Sequence, residues 1–155
     1  MVGEHRGEHH VVIHDEYLLG HGSGSSGQGM RGDAMGYLGH VDSPLTDLGY
    51  LERFCKGDRS RMEKYIRMYI DASPRLFADL AAKAAAGDAN GLAIAAHSLR
   101  PQVNYMGAHH LFETLTTIEQ KARAEGTAAC AVLIDRLPGM NERVLDELRT
   151  ALGHP

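Results

Sequence analysis

The sequence predicts an all-α fold: an up-down four-helix bundle with a short N-terminal helix. Three observations predict it. From Val41 onward, apolar residues recur at three- and four-residue steps, the spacing that lines one face of a helix. Glycines at 57, 87, 107 and 126 punctuate that pattern at regular intervals. No segment alternates with period two for long enough to make a convincing strand. Four longer helices joined by short connections pack most simply as an up-down bundle.

Each element follows from its own residues. Ser43-Pro44 reads as a helix start, followed by Leu45, Leu48 and Leu51 to Phe54 at helical spacing. Gly57 ends that short helix and Asp58 caps the next. Met62, Tyr65, Ile66, Tyr69 and Ile70 form the stripe of the first long helix. Ser73-Pro74 interrupts as a kink or a fresh start, and Leu76, Phe77, Leu80 and Ala84 carry the stripe onward. Gly87 stops it, and Asp88 begins a helix running towards Met106. After the break at Gly107, Leu111, Leu115, Ile118 and Ala122 mark a further helix, closed by Gly126. Thr127 then caps a last helix carrying Val132, Leu133, Leu137, Val144, Leu145 and Leu148, which Pro138-Gly139 should bend. The Ala-rich stretches at 81–86, 93–96 and 128–131 suit high helix propensity and close helix approach.

Composition sets residues 1–40 apart from the helical region of 42–153. The first forty residues hold more than half of the 18 glycines and six of the ten histidines. Gly20 to Gly29 is linker-like, because glycine loses the most entropy on ordering and nothing in the run can be buried. Residues 1–40 therefore read as a disordered tail, linker or engineered segment. His5, His9, His10, His14 and His21 are better read as solvated tail residues than as metal ligands.

The net charge of -4 gives no electrostatic basis for binding nucleic acid. Cys55 and Cys130 lie far apart without CxxC spacing, so they supply neither a disulfide framework nor a zinc site. No apolar stretch approaches the roughly 20 residues needed to cross a bilayer, and the N-terminus lacks a secretory pattern. A cytoplasmic protein with no membrane partner is expected.

The helix from Asp88 to Met106 carries the candidate chemistry. Leu92, Ala96, Leu99, Val103 and Met106 form its apolar stripe. With each residue advancing about 100°, Leu99 falls opposite His97, while Ala93, Arg100, Pro101 and Asn104 lie within roughly 60° of it. His97 thus points outward among small and polar neighbours. An imidazole with an ordinary pKa of about 6.5 offers a neutral, nucleophilic nitrogen at cellular pH. Arg100, one turn away, can offset phosphoryl charge through guanidinium hydrogen bonds. Ala93 and Ala96 keep the surface low for an approaching partner. Taken alone, a single histidine is more often an ordinary surface residue.

The stretch Ala95-Ala-His-Ser-Leu-Arg-Pro-Gln-Val-Asn-Tyr-Met-Gly-Ala108 changes that weighting. It resembles the phosphorylation-site segment of histidine-containing phosphotransfer (HPt) domains, with a small residue, His-Ser/Thr-Leu-Lys, and a glycine about ten residues beyond the histidine. Ala96, His97-Ser98-Leu99-Arg100 and Gly107 match it. Tyr50 to Asp58 is similar to the family's first helix and Gly-Asp turn, Gly87-Asp88 to the turn before the histidine helix, and Glu119 to a Leu/Ile-Glu pair in the next helix. The resemblance covers the whole helical part. It departs at Arg100, where lysine is usual, and at Pro101, where glycine is usual. Pro101 removes the hydrogen bond to the His97 carbonyl and should kink the helix.

The resemblance implies a phosphorelay through His97 at Nε2, with Arg100 stabilising the phosphoryl charge and Ala93, Ala96, Pro101, Asn104 and Gly107 forming the docking surface. Gln102, off that face, is structural. Implied partners are response-regulator receiver domains and a hybrid sensor histidine kinase. The sequence has no ATP-binding motif, so the protein would be a stoichiometric carrier with no cofactor of its own and Mg²⁺ on the partner receiver. The alternatives are an inactive interaction bundle or a metal-binding bundle built on His109, His110 and Glu113. The second lacks the paired ExxH motifs that such bundles use, so no metal site is expected.

Overall fold

The computed structural model describes residues 44–153. The Gly/His-rich segment of residues 1–40, with its scattered histidines, lies outside them. Five α-helices follow in order: α1 (Gly49–Phe54), α2 (Arg59–Ala85), α3 (Ala89–Tyr105), α4 (His109–Glu125) and α5 (Ala131–Ala151). A 3-10 turn, Thr127–Cys130, precedes α5. The described chain is all-helical, and α2 to α5 form the four-helix bundle with α1 as a short lead-in. α2 packs on α3 and α5, and α3 packs most extensively on α4.

Local chemistry sets the helix limits. Asp58 accepts from the Arg61 N–H at 3.1 Å and Asp88 from the Gly91 N–H at 2.8 Å, each satisfying an otherwise orphaned donor of α2 or α3. Gly87 and Gly107 close α2 and α3 with φ of 69° and 63°, a region where a side chain is strained. The core stripes interlock as the spacing predicts, burying Ile66, Phe77 and Leu80 of α2 with Leu92, Leu99 and Val103 of α3. Leu111, Leu115 and Ile118 of α4 and Leu137, Leu145 and Leu148 of α5 complete the core.

Two local expectations are revised, at the start of α1 and at Thr127, and α2 and α5 are both continuous through their interior Pro-containing pairs. α1 starts at Gly49 rather than at Ser43-Pro44. In the segment before it, the N–H groups of Leu45 (2.8 Å) and Thr46 (3.0 Å) donate to the carboxylate of Glu147 on α5. α2 runs continuously through Ser73-Pro74. There Ser73 is buried and its hydroxyl accepts from Asn141, which in turn accepts from the Tyr69 hydroxyl. α5 is likewise continuous through Pro138-Gly139. Thr127 makes no side-chain cap; it opens the 3-10 turn, and α5 begins four residues later.

Candidate functional site

His97 lies in the third turn of α3, and its side chain is 64% exposed. The helix is unbroken through Pro101, which is itself exposed one turn beyond His97. The apolar stripe of α3 is buried as predicted, yet the exposed face is narrower than a wheel centred on His97 implies. Ala93 and Ala96 are completely buried. α3 packs against both α2 and α4, and this packing closes over the edge on which Ala93 sits. Neither alanine can touch a partner; the docking role expected of them becomes one of keeping the α3–α4 surface low. Gly107 is also buried, and its carbonyl accepts from the Asp47 N–H at 3.2 Å. It anchors the segment before α1 rather than facing a partner. Asn104 is half-buried and Gln102 likewise.

The closeness of α3 and α4 has a chemical consequence. It places Glu119 beside His97, with Nδ1 at 3.2 Å from each carboxylate oxygen. A carboxylate can only accept, so Nδ1 carries the ring proton, and the neutral imidazole keeps its lone pair on Nε2. No hydrogen bond among the described residues engages Nε2.

Glu119 is the hub of the site. Its side chain is only 14% exposed, and it also accepts from Arg100 Nη1 at 2.6 Å and from Arg123 Nη2 at 3.2 Å. Burial by itself would raise the Glu119 pKa. The hydrogen bonds from Arg100 and His97, the charge of His97 and the bond from Arg123 together outweigh burial and hold the carboxyl below its usual range. The two guanidiniums exceed the single carboxylate charge, so Glu119, Arg100 and Arg123 together carry one net positive charge beside His97.

The two arginines are held differently. The Arg100 guanidinium lies over the Phe112 ring at 5.2 Å, its side chain is 28% exposed, and its Nε is buried without a partner. It is fixed against α4 rather than extended towards Nε2, the direction the sequence suggests. Arg123 is 53% exposed and makes the longer bond.

Sequence reasoning placed Glu119 in a family pattern without assigning it a role, and did not single out Arg123, Phe112 or Ile94. Arg123 was detectable as an i,i+4 partner of Glu119. Ile94, one turn before His97, is 51% exposed and flanks the histidine opposite Pro101. Its signal was an apolar residue off the core stripe. The rival metal set does not assemble: His110 Nδ1 lies 4.0 Å from Glu113, both side chains are largely exposed, and His109 is exposed at the start of α4. Among the described residues, no three His, Cys, Asp or Glu side chains group to hold an ion. No helix among them is long and apolar enough to cross a membrane.

The family model of the Hpt domain matches residues 64–151. That span holds most of α2 and all of α3, α4 and α5, including His97, Arg100, Glu119 and Arg123. No curated protein matches the chain, and no solved structure does.

Proposed function

Because the chain belongs to the Hpt domain family, whose domains carry phosphoryl groups in two-component signalling, we propose that His97 is its phosphoryl acceptor, reacting through Nε2. The observation that carries this reading is the Nδ1 contact with Glu119, which leaves the exposed Nε2 as the nucleophilic atom.

The reaction has a simple balance. The Nε2 lone pair attacks the phosphorus of an aspartyl phosphate on a receiver domain; the N–P bond forms as the P–O bond to the aspartate breaks, and the aspartate leaves as carboxylate. No proton need move, because the ring proton stays on Nδ1. The ring becomes cationic as the bond forms, and Glu119 faces that developing charge at hydrogen-bond distance. The reverse step hands the phosphoryl group to a second receiver aspartate.

Arg123 is the arm available to follow the phosphoryl oxygens, being the more exposed and more loosely bonded of the two guanidiniums. Arg100 holds Glu119 in place, so its contribution to phosphoryl charge acts at longer range. Mg²⁺ bound by the receiver's own carboxylates would supply the remaining charge stabilisation, and this chain acts as a stoichiometric carrier. Ile94 and Pro101 bracket His97 as an apolar contact for the receiver, with Asn104 at its lower edge. The partners on this reading are response-regulator receivers and the receiver of a hybrid sensor kinase.

Treating the protein with phosphoramidate and recording ¹⁵N and ³¹P spectra of its histidines tests the atom assignment. Phosphate at Nε2 of His97, formed faster than at His109 or His110, is expected. Phosphate at Nδ1 of His97, or no preference for His97, would refute it.

A further inference from the structure

α4 presents two working flanks. At about 100° per residue, His110, Thr114 and Thr117 lie on the side of the helix roughly opposite Glu119. They face α5 across a groove of about 560 Å³, floored by Leu111, Leu133, Met140 and Val144. The groove exists because α4 packs far more closely on α3 than on α5. Leu133 and Met140 remain only partly buried along it.

Charge marks this groove as well as shape. Arg136 and Arg143 stand on its α5 side, seven residues and two turns apart, so both project from the same face. Both are exposed, and neither makes an ion pair among the described residues. In contrast, Arg149 further along α5 is bonded to both Glu142 and Asp146. Among the described residues, the one acidic side chain lining the groove is Glu113, which lies 4.0 Å from His110 Nδ1. In a chain of net charge -4, two arginines without an ion pair among the described residues, beside a strip of partly exposed leucine and methionine, are a local reversal of sign. The span from Leu133 to Val144 is roughly 16 Å, the length of a three-turn helix.

We propose that the α4–α5 groove docks an acidic amphipathic helix of a partner protein, whose apolar face lies on the partly exposed Leu133 and Met140 and whose carboxylates meet Arg136 and Arg143. This is helix-in-groove recognition, with the arginines selecting sign and register. The groove and the His97 cluster use opposite flanks of α4, so a partner tethered here leaves the histidine face open to a second protein. The groove does not depend on phosphate chemistry at His97.

The test uses the full-length protein and a labelled synthetic three-turn peptide, with leucines along one face and glutamates on both flanks. Saturable binding by fluorescence anisotropy is expected, with methyl shifts at Leu111, Leu133 and Met140 and none at Ile94. The Arg136→Glu/Arg143→Glu variant should bind roughly tenfold more weakly, as two lost surface pairs imply, and a lysine-flanked peptide should bind no better than that variant binds the acidic one. Equal binding of the acidic and lysine peptides, shifts centred on Ile94, or no saturable binding would overturn the proposal. So would a concentration-dependent dimer that the double variant abolishes, because the groove would then serve a second copy of this chain.

Discussion

Glu119 of α4 reaches across to His97 of α3 and places both carboxylate oxygens 3.2 Å from the ring Nδ1. Twenty-two residues of sequence separate the pair, and the close packing of the two helices brings them together. This contact fixes which ring nitrogen is free to react, and it sets the first expectation. Glu119→Gln keeps an oxygen for Nδ1–H but also offers an amide donor and removes the negative charge. It should slow phosphotransfer to His97 roughly tenfold or more, the equivalent of one charge-assisted hydrogen bond at about 1.5–3 kcal/mol. Histidine ¹⁵N spectra of the variant should show a mixed tautomer. An unchanged tautomer with an unchanged rate would remove Glu119 from the mechanism.

The same carboxylate makes stability depend on pH. The Glu119 pKa in the folded protein is depressed, chiefly by Arg100 and His97 acting against burial. Its contribution is therefore complete above the unfolded carboxyl's value of about 4.3 and fades as pH falls through the lower folded value. The stability gap between wild type and Glu119→Gln, measured by urea denaturation, should be constant near neutral pH and narrow in acid below that value. A gap that widens in acid would contradict the sign.

Arg100 and Arg123 should separate by readout. Arg100→Ala removes the shortest bond to Glu119 and the stack on Phe112, and should cost about 1–3 kcal/mol of stability in thermal or chemical melts. Arg123→Ala removes an exposed, longer bond and should leave stability within about 0.5 kcal/mol. Its effect should appear instead as a shorter lifetime of phosphorylated His97. Equal effects of the two variants on both readouts would contradict the division of labour.

The helical stripes, the Gly-Asp turns and the Asp58 and Asp88 caps could be read from the sequence, because spacing and capping are local. His97 on an exposed face could be read in the same way. What could not be read depended on neighbours distant in the chain. Ala93 is buried by the packing of neighbouring helices on α3, which a single helical wheel does not contain. Glu147 takes the N–H groups of Leu45 and Thr46 from about a hundred residues away. Arg100 sits at the expected place, but Glu119 and Phe112 draw it inward. The site's residue types were local information; its hydrogen bonds were not.

Gly107 illustrates the same point and gives a further expectation. Its φ is 63°, and a Cβ built there would fall on the Asp47 backbone. Gly107→Ala should destabilise the protein by roughly 2 kcal/mol or more, from left-handed strain together with the clash. Gly87→Ala, with a similar φ of 69° and open space around it, should cost less. Urea denaturation of the two variants compares them directly, and equal costs would mean that the Asp47 contact is not made.

On the proposed function, His97 carries phosphate between receiver domains. Intact-mass and radiolabel transfer from a phosphorylated receiver to the full-length protein, beside His97→Gln, measures it most directly. An acid-labile, base-stable phosphate is expected on the wild type alone. No transfer from a broad panel of receivers, or equal labelling of the His97→Gln variant, would contradict it.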